Sequence, residues 1–302
     1  VSNIEIINQV LTLFFMMLMG YYGAKKGFIN KTVEKGMSEL LLNITLPFLI
    51  VTSFNIDYSE ELLGNALKIL IYSIVIHGSL LLVTKLLYIK NKSEKQGILR
   101  FVTTFSNVGF MGYPILNSVL GPIAVFYAAM FNMGFNLFLW TIGVRLLDNN
   151  EKGSFKKAIT NPSMIAVLAG IILFITPLDL PLPIKEGVKH LGNTTTPISM
   201  IIIGSMLSKV KMKDLFSDLS LYYGSFNILI LVPFIVLFIM KTFRIDKSLM
   251  EICVIIEAMP GATLAPIIIN GYGKDASYAS KAVFISTLIS MITIPIIIIA
   301  VI

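Results

Sequence analysis

The sequence predicts an all-α polytopic membrane protein whose ten transmembrane helices form two inverted five-helix repeats. Three observations predict it. Hydrophobic residues make up 56% of the 302-residue chain and charged residues only 14%, against about 25% charged in a soluble domain. The apolar residues fall into ten runs, each near the roughly 20 residues that cross a bilayer. Two of those runs, at corresponding places in the two halves, carry polar and helix-breaking residues at their centres. Paired interruptions of that kind point to the substrate site of a secondary transporter.

Taken in order, the first run, 5–24, starts with acidic Glu5, lacks a small-residue cleavage pattern and is followed by many similar runs, so it reads as a span and not a signal peptide. The second, 37–55, contains Asn43-Ile44-Thr45-Leu46-Pro47, and the third, 65–88, has His77 midway along it. The fourth, 96–119, is interrupted by Ser106-Asn107-Val108-Gly109 and then Gly112-Tyr113-Pro114. The fifth, 122–145, places Asn132 and Asn136 one helical turn apart and closes a first repeat, 1–145. A cytoplasmic linker, 146–160, leads to the second repeat, 161–302.

The sixth run, 161–176, opens with Asn161-Pro162, an N-cap followed by proline at the first helical position. The seventh, 187–208, contains Asn193-Thr194-Thr195-Thr196-Pro197, the same N-x-T-x-P pattern as the second. The eighth is 219–241. The ninth, 248–272, is interrupted by Glu257-Ala258-Met259-Pro260-Gly261-Ala262-Thr263. Proline removes a backbone donor and clashes with the preceding turn, and unwound backbone at membrane depth is tolerated only inside protein or beside a wet cavity. The tenth, 276–301, can be capped by Asp275. Tyr21, Tyr22, Tyr88, Tyr222, Tyr223 and Tyr272 fall at span ends, as an interfacial belt requires. Pro47 and Pro197 read most simply as helix kinks. From Pro47 to Asn107 is 60 residues and from Pro197 to Pro260 is 63, so each motif precedes its broken run by nearly the same distance. Five spans per half is an odd number, so two such halves must cross the membrane with opposite topology.

The net charge of +7 is topological and not a nucleic-acid footprint, because the cations cluster in alternate loops. Eighteen of the 24 Lys and Arg residues fall on the side of the first loop: Lys25, Lys26, Lys31, Lys35, Lys85, Lys90, Lys92, Lys95, Arg100, Arg145, Lys152, Lys156, Lys157, Lys209, Lys211, Lys213, Lys274 and Lys281. Lys68, Lys185, Lys189, Lys241, Arg244 and Lys247 fall on the other. The positive-inside rule therefore places the first loop in the cytoplasm and both termini outside a cytoplasmic (inner) membrane. Cys253, the one cysteine, permits no intrachain disulfide.

Met37-Ser38-Glu39-Leu40 through Leu46-Pro47-Phe48-Leu49-Ile50, the segment from Ser106 to Pro114, Asn161-Pro162, Pro197 through Gly204-Ser205-Met206-Leu207, and Met259-Pro260-Gly261-Ala262-Thr263 together resemble the auxin efflux carrier family, over essentially the whole chain. The form is the short one of bacterial members, without a large central loop. The resemblance implies that broken helices 4 and 9 cross near the midplane. It also implies a scaffold of helices 1, 2, 6 and 7, a moving transport domain of helices 3–5 and 8–10, and a homodimer. Family substrates are mostly small organic carboxylates: auxin in plants, and malonate, malate or similar acids for bacterial members. The plant carriers have Asn-Pro style crossovers, whereas here Asn107 and Pro114 are well separated and the ninth span has Met259-Pro260, so no individual auxin contact is carried over.

No lysine or arginine lies centrally in any span, so backbone must supply positive potential for an anion. Half-helices beginning after Gly109 and after Pro260 would present amide ends to a carboxylate, with Asn107, Gly261 and Thr263 completing a substrate site. The plainer role of Ser106, Asn107 and Thr263 is to satisfy backbone groups freed at the breaks, and the two roles are compatible. Glu257 is an ionisable residue in mid-span, a functional hypothesis by default. It could carry a proton, or give an oxygen to sodium with Ser106, Asn107, Asn132 and Asn136 as neutral ligands, a pattern distantly similar to the bile acid:sodium symporters; it could also be a structural carboxylate. No cofactor or metal is expected beyond such a coupling Na+ or H+. His77 reads as a packed, hydrogen-bonded group in preference to a proton relay, Glu39 as a side chain that snorkels or pairs with first-loop lysines, and the Asn43/Asn193 and Thr45/Thr195 pairs as packing or cavity-lining residues.

An intramembrane enzyme is disfavoured. Asp57, Asp148, Asp179, Asp214, Asp218, Asp246 and Asp275 all fall in loops or at span ends, and His77 and His190 form no H-E-x-x-H. The sequence thus favours secondary active or facilitative transport of a small organic anion by alternating access; the alternative is a passive channel or a non-transporting sensor of a small metabolite.

Overall fold

The computed structural model describes residues 3–91, 93–148, 152–176, 180–209 and 218–302, which are nearly all helical. Lys92, Lys211 and Lys213 of the charge count, Asp179 and Asp214 of the aspartate inventory, and residues 149–151 of the linker lie outside the described residues.

Helix α1 is Asn3–Lys25. Helix α2, Lys31–Leu40, is capped by Asn30, whose Oδ1 accepts from Thr32 N and Val33 N. It runs through a π turn, Leu41–Thr45, into α3, Leu46–Ser53. Helix α4 is Glu60–Leu87, α5 is Ser93–Thr104 and α6 is Tyr113–Leu120. Gly121, at φ +80°, turns the chain into α7, Pro122–Thr141. A short α8, Phe155–Thr160, precedes α9, Pro162–Ile175, then α10, Leu182–Asn193, and α11, Thr195–Leu207. Helix α12, Leu219–Phe226, passes through a second π turn, Asn227–Leu231, into α13, Val232–Thr242. The chain closes with α14, Lys247–Glu257, α15, Ala265–Gly271, and α16, Ala276–Val301.

Among the described residues, six helical stretches are long and apolar enough to cross a membrane: Ile4–Lys25, Lys31–Ser53, Glu60–Leu87, Pro122–Thr141, Leu219–Thr242 and Ala276–Val301. Their outward faces fit acyl chains. Leu11, Phe15, Leu18 and Tyr22 form an exposed stripe on α1, Ile71, Val75, Leu82 and Leu86 one on α4, and Ile292 and Ile296 one on α16. Apolar stripes that face outward reverse the pattern of a soluble helix bundle.

Several prolines sit where helical segments begin, and Pro295 lies inside α16. Pro122, Pro162, Pro183 and Pro266 each occupy one of the first two helical positions, where a missing N–H costs nothing, while Pro47, Pro114 and Pro233 each follow a π turn within a longer helix. Pro47 stands inside the continuous Lys31–Ser53 helix, just after its π turn, which is where the sequence predicts a kink. Pro197 stands in the first turn of α11, just after the chain steps out of α10 at Thr194. The expected caps form: Asn161 Oδ1 accepts from Met164 N at 2.9 Å and Asp275 Oδ1 from Tyr278 N at 2.9 Å. The second span starts earlier than expected, at Lys31. Tyr88 is not in an interfacial belt; it is buried, with its hydroxyl 2.7 Å from Thr103 Oγ1 and accepting from Asn227 Nδ2. Glu39 pairs with Lys35 at 3.7 Å on the exposed face of α2.

Packing follows small residues. α1 lies along α11, where a Cβ on Gly20 would meet Ile201 O at 2.1 Å and one on Gly204 would meet Met17 O at 1.8 Å, so backbone touches backbone. α3 packs between α9 and α10, α4 lies along α7, and α12 and α15 pack on α16.

Candidate functional site

Both predicted interruptions are real breaks, and they meet. α5 stops at Thr104 and α14 at Glu257; between them Ser106 and Gly261 form an isolated antiparallel β-bridge. Asn107 N donates to Pro260 O at 2.8 Å, and Ala262 N donates to Phe105 O at 3.2 Å. Pro260 has no N–H but its carbonyl remains, and this bridge uses it. Gly261 is required by proximity, because a Cβ there would lie 2.4 Å from Val102 Cγ1. Its own N–H donates to Ser286 Oγ of α16 at 3.2 Å. Each break thus satisfies backbone groups that the other frees, which is what a non-helical segment at membrane depth must do.

Asn107 completes the join. Its Oδ1 accepts from Phe110 N at 3.3 Å, capping the π turn Val108–Gly112, while its Nδ2 donates to Thr263 Oγ1 at 2.7 Å. Both side chains are buried.

Alongside lies a cavity of about 250 Å³ whose lining includes Ser106, Asn107, Gly109, Asn132, Asn136 and Thr263. Six of the residues singled out from sequence are therefore brought together. Ser106 Oγ is buried there without a hydrogen-bond partner. Asn136 Nδ2 donates to Asn132 O at 2.8 Å, leaving its Oδ1 to accept from Asn161 Nδ2 at 3.3 Å. Asn161 was legible as a helix cap but not as a lining residue, and Trp140 was missed altogether. The signal for Trp140 was its place one turn after Asn136 and two after Asn132, on one face of α7. Lys157 Nζ stands 5.8 Å from the Trp140 ring centroid. Asn43 also lines the cavity, its Nδ2 bonded to Glu39 O; Asn193 does not. Thr45 and Thr195, equivalent in the two N-x-T-x-P motifs, are both buried with hydroxyls lacking partners.

Thr263 has a second exposure. A neighbouring cavity of about 320 Å³, between α2, α11, α15 and α16, shares it and holds Glu34, Lys209 and Lys281. Glu34 bridges α2 to α11 there, accepting from Ser205 Oγ at 2.5 Å and Lys209 Nζ at 2.6 Å.

Two expectations need correction. The first helical turn after the fourth-span break begins at Val108, before Gly109, and α15 begins at Ala265, not directly after Pro260. α15 has only 7 residues, so it brings no developed macrodipole to the site. Pro260 and Gly261 contribute through backbone bonds of the bridge and do not line the cavity. Glu257 does not line it either: the structure places Ser106, Asn107, Asn132 and Asn136 along the cavity and turns Glu257 toward His77, with Oε1 at 3.9 Å from Nε2.

A bundle of outward-apolar helices, with a cavity of mixed amide and apolar lining beside two joined helix breaks, defines a multi-pass membrane protein. The chain belongs to the membrane transport protein family, which matches residues 5–155 and 151–298 and is the auxin efflux carrier-like family its motifs resemble. It is 25% identical over 294 residues to an uncharacterized transporter of Methanothermobacter thermautotrophicus, covering 95% of each chain. It is 24% identical over 301 residues to the uncharacterized transporter MJ1031 of Methanocaldococcus jannaschii, covering 94% of this chain and 95% of that one. To a putative malonate transporter of Rhizobium meliloti it is 19% identical over 301 residues, covering 96% and 94%.

Proposed function

We propose that this chain is a carrier, and not an enzyme, that moves a small organic carboxylate across the cytoplasmic membrane by alternating access, driven by the substrate gradient or coupled to sodium or a proton. The observation that carries this reading is the Asn107–Thr263 hydrogen bond, which ties the two breaks together at the wall of an amide-lined cavity. Among the described residues that cavity has no charged lining residue, so a carboxylate would be held by Asn amide and hydroxyl donors. Hydrogen bonds to a charged group contribute about 1.5–3 kcal/mol each, enough for several to bind an anion without a buried lysine. A volume of about 250 Å³ is below the roughly 300–1,000 Å³ of drug-sized ligand sites and suits a small metabolite. The Rhizobium relative's name favours malonate or another short dicarboxylate as the first to try.

The same reading takes the ten spans as two inverted repeats. The contacts are consistent with that symmetry: α1 against α11 is matched by α9 against α3, and α4 against α7 by α12 against α16. It assigns α1–α3 and α9–α11 to a scaffold, the remaining membrane helices to a moving domain, the exposed stripes to lipid, and the assembly to a homodimer. The test is thermal stability of the purified protein against mono- and dicarboxylates, each with sodium or choline and at two pH values. Ligand at 100 times its Kd adds about 2.7 kcal/mol to apparent stability. A carboxylate-specific rise, followed by saturable counterflow in proteoliposomes, is the expected result. No shift with any carboxylate would remove the substrate class, and flux without counterflow would make the protein a channel.

A further inference from the structure

We propose that Glu257 and His77 together bind one proton, and that this pair is the site through which the carrier is coupled to a proton and not to sodium. The coupling role rests on the carrier reading above; the proton site does not.

His77, on α4, is fully buried among the rings of Phe105, Phe131, Phe135 and Phe138, at centroid distances from 5.4 to 6.1 Å. Its Nδ1 lies 2.8 Å from Ser73 O, a carbonyl that can only accept, so Nδ1 carries a hydrogen. The Ser73 hydroxyl is engaged elsewhere, donating to Phe131 O at 2.6 Å. In neutral His77 the lone pair is therefore on Nε2, which faces Glu257 Oε1 at 3.9 Å and has no other partner. Glu257 is 1% exposed, and both its carboxyl oxygens lack partners. Three buried acceptor atoms with no donor among them is an arrangement that one added proton resolves. The proton sits on the Glu257 carboxyl and is donated to Nε2, or passes to Nε2 and is donated back to the carboxylate. Either way the pair is neutral overall, and a small approach of the two helices brings 3.9 Å into hydrogen-bond range.

Removal of that proton would leave one negative charge with nothing to balance it. Cys253, fully buried one turn before Glu257 on α14, is not a cation. There is no lysine or arginine in α7, in residues 69–84 of α4, or in α14 after Lys247. Arg100 of α5 reaches α4 only to donate to Leu81 O at 3.0 Å, and Lys281 of α16 belongs to the second cavity. Glu257 is also the last residue of α14, where the helix's own carbonyl ends disfavour a negative charge. Sodium would need several further oxygen ligands, and the surroundings are phenylalanine rings.

The pair is placed to communicate with the substrate site. Phe135 packs edge-on against His77 and also lines the amide cavity, and Glu257 is three residues before Pro260, whose carbonyl holds Asn107. A shift of the ninth-span break would open the phenylalanine layer, admit water and release the proton.

The test is infrared difference spectroscopy of the full-length protein in lipid, without substrate, as pH is stepped across the folded range. We expect a protonated-carboxyl C=O band that titrates, is lost in Glu257→Gln and changes its midpoint in His77→Gln, with no response to sodium at fixed pH. A spectrum that Glu257→Gln leaves unchanged, or a midpoint indifferent to His77→Gln, overturns the site. In proteoliposomes, proton-driven accumulation should be lost in Glu257→Gln while counterflow persists; accumulation retained in that variant overturns the coupling role. Because the spectra need no substrate, failure of the carboxylate reading leaves this result standing and is separately visible.

Discussion

At the scale of the residue, Asn107 has two structural duties and one proposed functional one. Truncation to alanine would leave Phe110 N without its cap and remove the donor to Thr263 Oγ1, both in buried surroundings. An unsatisfied buried polar group costs about 1–3 kcal/mol. Asn107→Ala should therefore lower the melting temperature and, if the cavity binds substrate, weaken carboxylate affinity at least tenfold, about 1.4 kcal/mol. Thr263→Val keeps the shape and removes only the oxygen. Because the two side chains share one bond, the double variant should be less destabilised than the sum of the singles, by roughly 0.5–3 kcal/mol of coupling. Thermal unfolding with and without malonate measures both quantities. Strict additivity would mean that the bond contributes nothing, and unchanged affinity in both single variants would take these residues out of the site.

At the scale of the element, the breaks were legible because proline and glycine punctuate locally, while the partners of polar residues were not, because partnership is set by packing between distant helices. Pro260-Gly261 and Ser106-Asn107 announced interruptions, but nothing in the sequence says that Glu257 faces His77 and not Asn132. Helix starts offer a similar contrast. Asp218 is readable as an N-cap for α12, and its Oδ1 accepts from Ser220 N and Ser220 Oγ. That its other oxygen would take Lys95 from α5, while Ser220 Oγ reaches Tyr278 OH of α16, is a tertiary fact. Burial pushes the Asp218 carboxyl up, but the Lys95 ammonium and the Ser220 bonds outweigh it and hold it down at about 2. A carboxyl depressed in the folded state stabilises above its unfolded value, about 3.9, and that contribution is lost as pH falls toward 2. Asp218→Asn should therefore melt earlier than the parent at neutral pH, with the gap constant above about pH 4 and closing below it. A gap that persists to pH 2 would assign the effect to the cap alone.

At the scale of the whole molecule, the sequence's division of cations into two sets becomes a division in space. At one end the 94–100, 145–148 and 273–274 segments line a common cleft, Lys209 meets Glu34, and Lys95 meets Asp218. At the other, the 54–58 loop, the end of α9 and Lys185 line another, and Lys247 Nζ donates to Ile302 O. The first end gathers loops from the cation-rich set and the second gathers loops from the cation-poor set, so an insertion bias acting on short loops would send the first end to the cytoplasm. The single cysteine, Cys253, is fully buried, so the parent protein should resist a membrane-impermeant thiol reagent and serve as its own background. Asp57→Cys, at an exposed position of the 54–59 loop, should be labelled in intact cells. Lys156→Cys, on exposed α8, should be labelled only after permeabilisation. The reverse pattern would invert the molecule, placing the cation-rich end and both cavities that share Thr263 on the outside. Labelling of both positions from one side would contradict the odd number of spans between 57 and 156, and with it the inverted relation of the two halves.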